Sequence, residues 1–468
     1  MPKLRDFLEH PDEILPAVRM YLEVRRATRL PADPGLAFCY DILNSVSRSF
    51  AVVIQKLPTP LRDAVCVFYL VLRGLDTVED DMAIPMAEKL PCLRSFHEKI
   101  YERGSRWPTY GKDHYNRLMA QFGAVVDVFL RLDPTFRAVI ADVAKKMGHG
   151  MAEYIELEVE TVKDLDLYCH YVAGLVGEGL SALFAASGLE DPKFKDLTDM
   201  SNEMGLFLQK TNIIRDYLED INEEPAPRMF WPREVWGKEV EGLEEFKELK
   251  NRGAALDCLN ALITDALRHV PTCFAYMKML QNQQVFRFCA IPQVMAIGTL
   301  ALCFNNGGVF EGEVKMRRGQ TCVIFESVES MKDVYKYFRE FAGTIGAKCQ
   351  ASVLKRDPNS RKTMETIEKI EELCEKGLKE CGVPTNGAPA DVSDQPVEWW
   401  VRLGIMCLSI GYFLYAWGIA GFRASLGVAP NPSNFLLDMM QRLCSLLLLF
   451  VGVIWVGVLG KRLGTPEP

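Results

Sequence analysis

The chain has 468 residues, 49% of them hydrophobic and 25% charged, enough to bury a large core as roughly two or three domains or as one large helical domain with an appendage. Its formal net charge is −8 and no basic face of domain size is present, which argues against a nucleic-acid binder. The 14 cysteines stand singly, without a Cys-x-x-Cys pair, so neither a zinc site nor a thioredoxin-like centre is indicated; Cys66, Cys289 and Cys303 lie in apolar runs and read as reduced, buried thiols of a reducing compartment.

The N-terminus from Met1 to Phe7 lacks an apolar h-region and does not read as a secretory signal. Residues 1–35 form an amphipathic lead-in punctuated by Pro11, Pro16, Pro31 and Pro34. Ser47-Arg48-Ser49-Phe50 follows, then an apolar run over 51–57 and a break at Pro58-Thr59-Pro60. An Arg/Ser set beside an apolar run is either a helix cap or a grip for a phosphate.

Residues 61–82 carry apolar side chains at helical spacing (Val65, Phe68, Leu72, Leu75), then Asp76-Thr77-Val78-Glu79-Asp80, with Tyr69 and Arg73 on the same segment. Helical patterning resumes over 86–103 and 113–132, and Lys145 to Glu153 leads into a long helix. Within Tyr168 to Leu180, Gly177-x-Gly179-x-x-Ala182 superficially matches a dinucleotide fingerprint. That motif needs a preceding strand and a βαβ unit, whereas helical periodicity surrounds it here, so it is rejected. Small residues at this spacing instead let two helices, or a bulky ligand, approach closely. A second motif helix, with Leu206, Ile213, Ile214, Leu218 and Ile221, carries Asp216-Tyr217-Leu218-Glu219-Asp220 and ends near Ile221 before a loop to Pro232.

Residues 242–283 read as further helix. The apolar run from Phe286 to Phe304, interrupted at Pro292-Gln293, is short for a membrane span and fits a cavity wall. Asn305 to Gln320 is a Gly-rich loop whose Lys315, Arg317 and Arg318 form a surface basic cluster or an anion grip. Helices are expected over 327–342 and 361–381, and residues 382–398 read as a linker. Residues 403–422 and 443–460 are free of charged side chains and long enough to cross a bilayer core, with Trp399, Trp400, Trp417 and Trp455 nearby and Arg423, Arg442, Lys461 and Arg462 flanking. A C-terminal membrane anchor over 399–468 is expected, as a two-helix hairpin in preference to a single transmembrane helix. Almost nothing alternates with period two, so the fold class is all-α: a single helical domain over 36–381 around a central cavity.

The two Asp-x-x-Glu-Asp motifs hold the chemistry. Positions i, i+3 and i+4 share a helix face, so Asp76, Glu79 and Asp80 are expected to converge, and likewise Asp216, Glu219 and Asp220. Enclosed carboxylates repel unless a cation offsets them. Mg²⁺ is hard, prefers oxygen, and bridges carboxylates to phosphates. One such cluster also reads as a solvated acidic face; its repetition about 140 residues on points to two facing helices that hold a diphosphate between metal ions. Loss of metal-bound diphosphate from an allylic carbon leaves a carbocation, which a dry aromatic cavity protects and stabilises.

These motifs resemble the squalene synthases, in the head-to-head prenyl synthase group that also holds phytoene synthase. The likeness covers about residues 35–330 and rests on Ser47 to Phe50, Phe68 to Asp81, Tyr168 to Gly177, Gln209 to Asp220 and Phe286 to Ala296. It implies that two molecules of farnesyl diphosphate condense to presqualene diphosphate, which then ionises, rearranges and is reduced by NADPH to squalene. By this resemblance Asp76, Glu79, Asp80, Asp216 and Asp220 bind Mg²⁺–diphosphate, with Glu219 more weakly placed. Tyr168 serves the first half-reaction, in proton removal or cation stabilisation, although a phenol of ordinary pKa near 10 is a poor base. Phe288, with Phe286, faces the second cation, and Arg48, Tyr69, Arg73, Asn212 and Arg215 support diphosphate. Ser47, Arg48, Phe50, Asn212, Tyr276, Lys315, Arg317 and Arg318 are the NADPH candidates. A monomer is expected, tied to membrane lipid of the endoplasmic reticulum with its catalytic domain in the cytosol. The rival readings are a phytoene- or dehydrosqualene-type synthase that ends by deprotonation, and a non-catalytic helical scaffold.

Overall fold

The run from Leu61 to Asp80 folds as the 20-residue helix α1. Val65, Phe68, Leu72 and Leu75 form its buried stripe, while Tyr69, Arg73 and Asp76 fall on a partly exposed flank. The computed structural model describes residues 10–27, 30–155, 158–223, 227–351 and 357–383, and every regular element among them is a helix. All belong to one compact unit, Met1–Asn386. The expected all-α architecture is the one observed.

Around α1 stand α2 (Pro134–Tyr154), α3 (Val162–Cys169), α4 (Leu175–Ala186) and α5 (Thr198–Arg215), followed by the short α6 (Tyr217–Ile221), α7 (Arg252–Leu267) and α8 (Gln283–Cys303). A five-residue π turn, His170–Gly174, joins α3 to α4. Such turns insert an extra residue into a helix and recur at functional sites. Here it follows Tyr168 and packs against α5. The small-residue reading of this region is explained by the α4–α5 contact. A Cβ on Gly177 would stand 2.2 Å from the Ser201 carbonyl oxygen, and one on Gly205 2.3 Å from that of Ala173. Only glycine lets the two backbones come this close.

The second motif does not sit on one unbroken helix. α5 ends at Arg215, and Asp216 takes φ −93° and ψ 14° before α6 begins. The Trp231 indole donates to the Ile213 carbonyl at 3.3 Å, and Arg215 clasps the neighbouring Asp216 carboxylate, so side chains stabilise the break. The amide of Asp220 still donates to the Asp216 carbonyl at 3.0 Å, which keeps the i, i+4 relation across it.

A buried ion network ties the elements bearing the motifs together. Lys210 of α5 is 1% exposed and is held between Asp166 of α3 (2.5 Å) and Asp265 of α7. Arg268 contacts both of those carboxylates, and Glu203 meets His269 at 2.6 Å.

Other boundaries differ from the sequence pattern. Residues 113–132 split at Gln121, whose φ of −116° ends one helix and starts another. Residues 242–283 resolve into two 3₁₀ turns, α7, and a helix Val270–Met279. The helix expected over 327–342 runs Met331–Ala351, and the expected loop 305–320 contains a 3₁₀ turn at Gly307–Phe310 and the first residues of a helix, Arg318–Ser327. Two described segments are long and apolar enough to cross a membrane, Val162–Ala186 and Gln283–Cys303; the second is mostly buried inside the protein and is the expected cavity wall. The candidate spans 403–422 and 443–460, and the linker beyond Val383, lie outside the described residues.

Candidate active site

A cavity opens between α1, α4, α5 and α8. Phe50, Phe68, Tyr69, Phe184, Tyr276 and Phe288 give it an aromatic lining, and Leu72, Val176 and Leu180 an aliphatic one. Arg73, Asp76, Gln209 and Asn212 bring polar groups to the same space. Seven residues singled out in the sequence therefore meet on one cavity: Phe50, Tyr69, Arg73, Asp76, Asn212, Tyr276 and Phe288. Phe288 stands edge-on to Phe184 at 6.0 Å. Arg73 lies over the Tyr69 ring at 5.6 Å and pairs with Asp76 one turn on, at 3.3 Å. The hydroxyls of Tyr276 and Ser181 are 2.6 Å apart, so the phenol is already satisfied within the protein.

Other candidates lie elsewhere. Phe286 is buried on α8 and is not among the lining residues. Ser47 stands at the N-cap position of the helix Arg48–Gln55, but its side chain makes no capping hydrogen bond. The Arg48 side chain lies outside the described residues. The cations of the 305–320 segment do not line the cavity: Lys315 pairs with Glu313, and Arg317 donates to Glu13 at 2.8 Å. Arg318 opens the helix that follows.

The acidic motifs are met by three arginines. Arg73 holds Asp76, and Arg215 holds Asp216 through two hydrogen bonds, of 2.7 and 2.5 Å. Arg228 reaches Asp80 at 2.5 Å and Glu79 at 3.6 Å. Its guanidinium lies over the Phe230 ring at 4.9 Å, and Phe230 stacks on Tyr168 at 4.8 Å and 23°. Neither Arg228 nor Phe230 was found in the sequence, where Asn222 to Pro232 reads as a loop. The available signal was one of charge: six carboxylates need counter-ions, and an arginine stands shortly after the second motif. Glu219 is exposed, as is Asp80.

Burial pushes the motif carboxyls upward despite these arginines: Asp76 to about 6, Asp220 to about 7 and Glu79 to about 8. Burial, reinforced by Glu79, also pushes the Tyr168 phenol well above its ordinary value, so it stays neutral. Because the fold favours the protonated carboxyls, their contribution to stability is greatest at low pH. It is lost as pH rises from the ordinary carboxylate range through about 6 to 8. Three arginines against six motif carboxylates leave net negative charge, and an oxygen-only set of this kind fits Mg²⁺. We expect Mg²⁺ to bind more tightly from pH 6 to 8 and to expel protons as it does so. Titration calorimetry in buffers of different ionisation enthalpy reads the proton count, and binding without proton release would contradict the assignment.

A tighter cluster is a poor metal site. Ligand atoms of Asp166, Asp265 and His269 lie within 4.8 Å of one another, but Lys210 and Arg268 already neutralise the carboxylates. Among the described residues, the motif carboxylates do not close into so tight a group. Arg73 meets Asp76, Arg215 meets Asp216, and Arg228 meets both Glu79 and Asp80.

An all-helical domain whose aromatic cavity takes Asp76 from the first acidic motif and Asn212 from the helix leading into the second has the isoprenoid synthase fold. More particularly, the chain belongs to the squalene/phytoene synthase family, whose model matches residues 43–320. It is similar to squalene synthase LSS of Botryococcus braunii, at 50% identity over 92% of both chains. Squalene synthase 1 of Arabidopsis thaliana is 50% identical over 88% of this chain and 98% of its own. Lycopaoctaene synthase of Botryococcus braunii is 46% identical over 90% and 93%. The solved structure of TcSQS with a bound ligand superposes with a TM-score of 0.71 at 44% identity, over 74% of this chain and all of that one.

Proposed function

We propose that this enzyme is a squalene synthase, which condenses two farnesyl diphosphates to presqualene diphosphate and reduces that intermediate to squalene. The observation that carries this reading is a largely apolar, aromatic-lined cavity with Arg73, Asp76 and Asn212 at its polar part, in a chain about half identical to squalene synthases over most of its length. Mg²⁺, held by Asp76, Glu79, Asp80, Asp216 and Asp220, would supply Lewis-acid assistance to diphosphate departure.

The chain's own residues do the rest. Arg73, Arg215 and Asn212 orient the diphosphates. Phe288, with Phe184 behind its edge, presents an aromatic face to cationic carbon, a contact worth about 2 kcal/mol when desolvated. Tyr168 stays protonated beside Glu79, so it acts as a neutral aromatic and hydrogen-bond donor rather than as the base. The departing diphosphate is the better acceptor for the lost proton. The apolar lining excludes water, which would otherwise quench the cation as an alcohol.

NADPH is the proposed reductant. Phe50, Asn212 and Tyr276 reach the cavity, whereas Lys315, Arg317 and Arg318 would have to leave their present surroundings to meet a nucleotide. We assign residues 36–381 to the catalytic domain, 382–398 to a linker and 399–468 to a membrane anchor. The enzyme is proposed to work as a monomer on the cytosolic face of the endoplasmic reticulum, where squalene partitions into lipid.

The test is incubation of the full chain in detergent with farnesyl diphosphate and Mg²⁺, with and without NADPH, with products identified by mass. Squalene formed only with NADPH, and presqualene diphosphate accumulating without it, is the expected result. Dehydrosqualene formed regardless of NADPH would replace the reductive reading by a deprotonating one, and no diphosphate release would overturn both.

A further inference from the structure

Arg228 spans the two acidic motifs. Its backbone amide donates to the Asp220 carbonyl at 2.8 Å, which fastens it to the second motif, while its side chain reaches across to Asp80 and Glu79 of the first. Arg228 and Asp80 are 148 positions apart in the chain. The face of the guanidinium rests on Phe230, which stacks on Tyr168, so one side chain touches the metal-binding carboxylates and the aromatic pair beside them.

A planar guanidinium matches a carboxylate and a phosphate equally well, through the same fork of N–H donors. A divalent cation competes for the same carboxylate oxygens with twice the charge. Were cations to hold Glu79 and Asp80, the fork would lose its partners and be left to meet another oxyanion. The Phe230 ring gives the cation a support that does not depend on which anion it holds.

We propose that Arg228 is an exchangeable counter-ion: it holds Glu79 and Asp80 in the metal-free enzyme and passes to diphosphate when metal takes those carboxylates. This rests on the diphosphate-ionising function proposed above. It deepens that function by assigning one residue two successive partners, so that the site is neutralised both before and after metal enters.

The two partners give a diagnostic pair of opposite signs. In the substrate-free full chain, Arg228→Gln removes a competitor for the carboxylates, so Mn²⁺ alone, followed by electron paramagnetic resonance, binds roughly threefold or more tightly. In the presence of saturating Mn²⁺, inorganic pyrophosphate loses a charge-assisted partner and binds about tenfold or more weakly by calorimetry. Arg228→Lys keeps the charge without the fork, so it leaves Mn²⁺ near the wild-type value while pyrophosphate still weakens. Loss of both affinities together in Arg228→Gln, with Arg228→Lys restoring both, identifies a purely structural ion pair and overturns the exchange. No change in either affinity overturns it as well. Wild-type protein that binds neither Mn²⁺ nor pyrophosphate would instead refute the underlying functional reading.

Discussion

Asp80→Asn and Asp216→Asn are each expected to lower turnover of farnesyl diphosphate by about a hundredfold or more, with no loss of thermal stability. The exchange removes one negative charge and keeps the side chain's volume. Metal-assisted departure of diphosphate is worth several kcal/mol of transition-state stabilisation, and about 3 kcal/mol is two decades of rate. Stability changes little, because each variant gives up a partly exposed ion pair, Arg228–Asp80 or Arg215–Asp216, but also relieves the crowding of like charges within its motif. Asp80 is half-exposed and Asp216 partly so, and neither fills a packed core. Steady-state kinetics and a thermal melt on the same samples check the pair of effects. Wild-type turnover in either variant would end the metal assignment, and a fall in both turnover and melting temperature would make the loss structural. Glu219→Gln, at an exposed position, is the internal control with a small effect.

Lys210→Met should cost about 3–5 kcal/mol of folding stability, the scale for breaking a buried pair on one side only. The ammonium is 1% exposed and sits between Asp166 and Asp265, so its removal leaves two carboxylates with Arg268 as their remaining cation. Methionine keeps the apolar stem and isolates the charge. The melting temperature should fall by several degrees, at about 1–2 °C per kcal/mol in a domain of this size. The consequence reaches the cavity, because Lys210 ties α5, which leads into Asp216, to α3, which carries Tyr168. A cost below about 1 kcal/mol, the range of a surface pair, would show that the network does not hold these helices together.

The helices were legible because their signal is local. Val65, Phe68, Leu72 and Leu75 announce the buried stripe of α1 from spacing alone, and the absence of a strand beside Gly177 excludes a nucleotide-binding turn while leaving the close helix contact that the structure shows. The break at Asp216 was not legible. Apolar spacing runs through it without a change of phase, and the groups that stabilise it come from the adjacent Arg215 and from Trp231 of a later segment. Likewise the charge of Lys315 and Arg317 suggested an anion grip, but charge does not say whether glutamates such as Glu313 and Glu13 already claim the cations.

By itself the sequence determined the helical class of the domain, the two repeated carboxylate motifs and the oxygen-ligand chemistry they imply, because each follows from residue type and spacing within a few turns. Only the tertiary structure decided which arginine answers which carboxylate, that Arg228 and Phe230 join the first motif to Tyr168, and that Lys210 is buried between two aspartates. Those pairings link residues tens to more than a hundred positions apart. Coulomb attraction and burial depend on distance in space, and distance in space is set by how the helices pack.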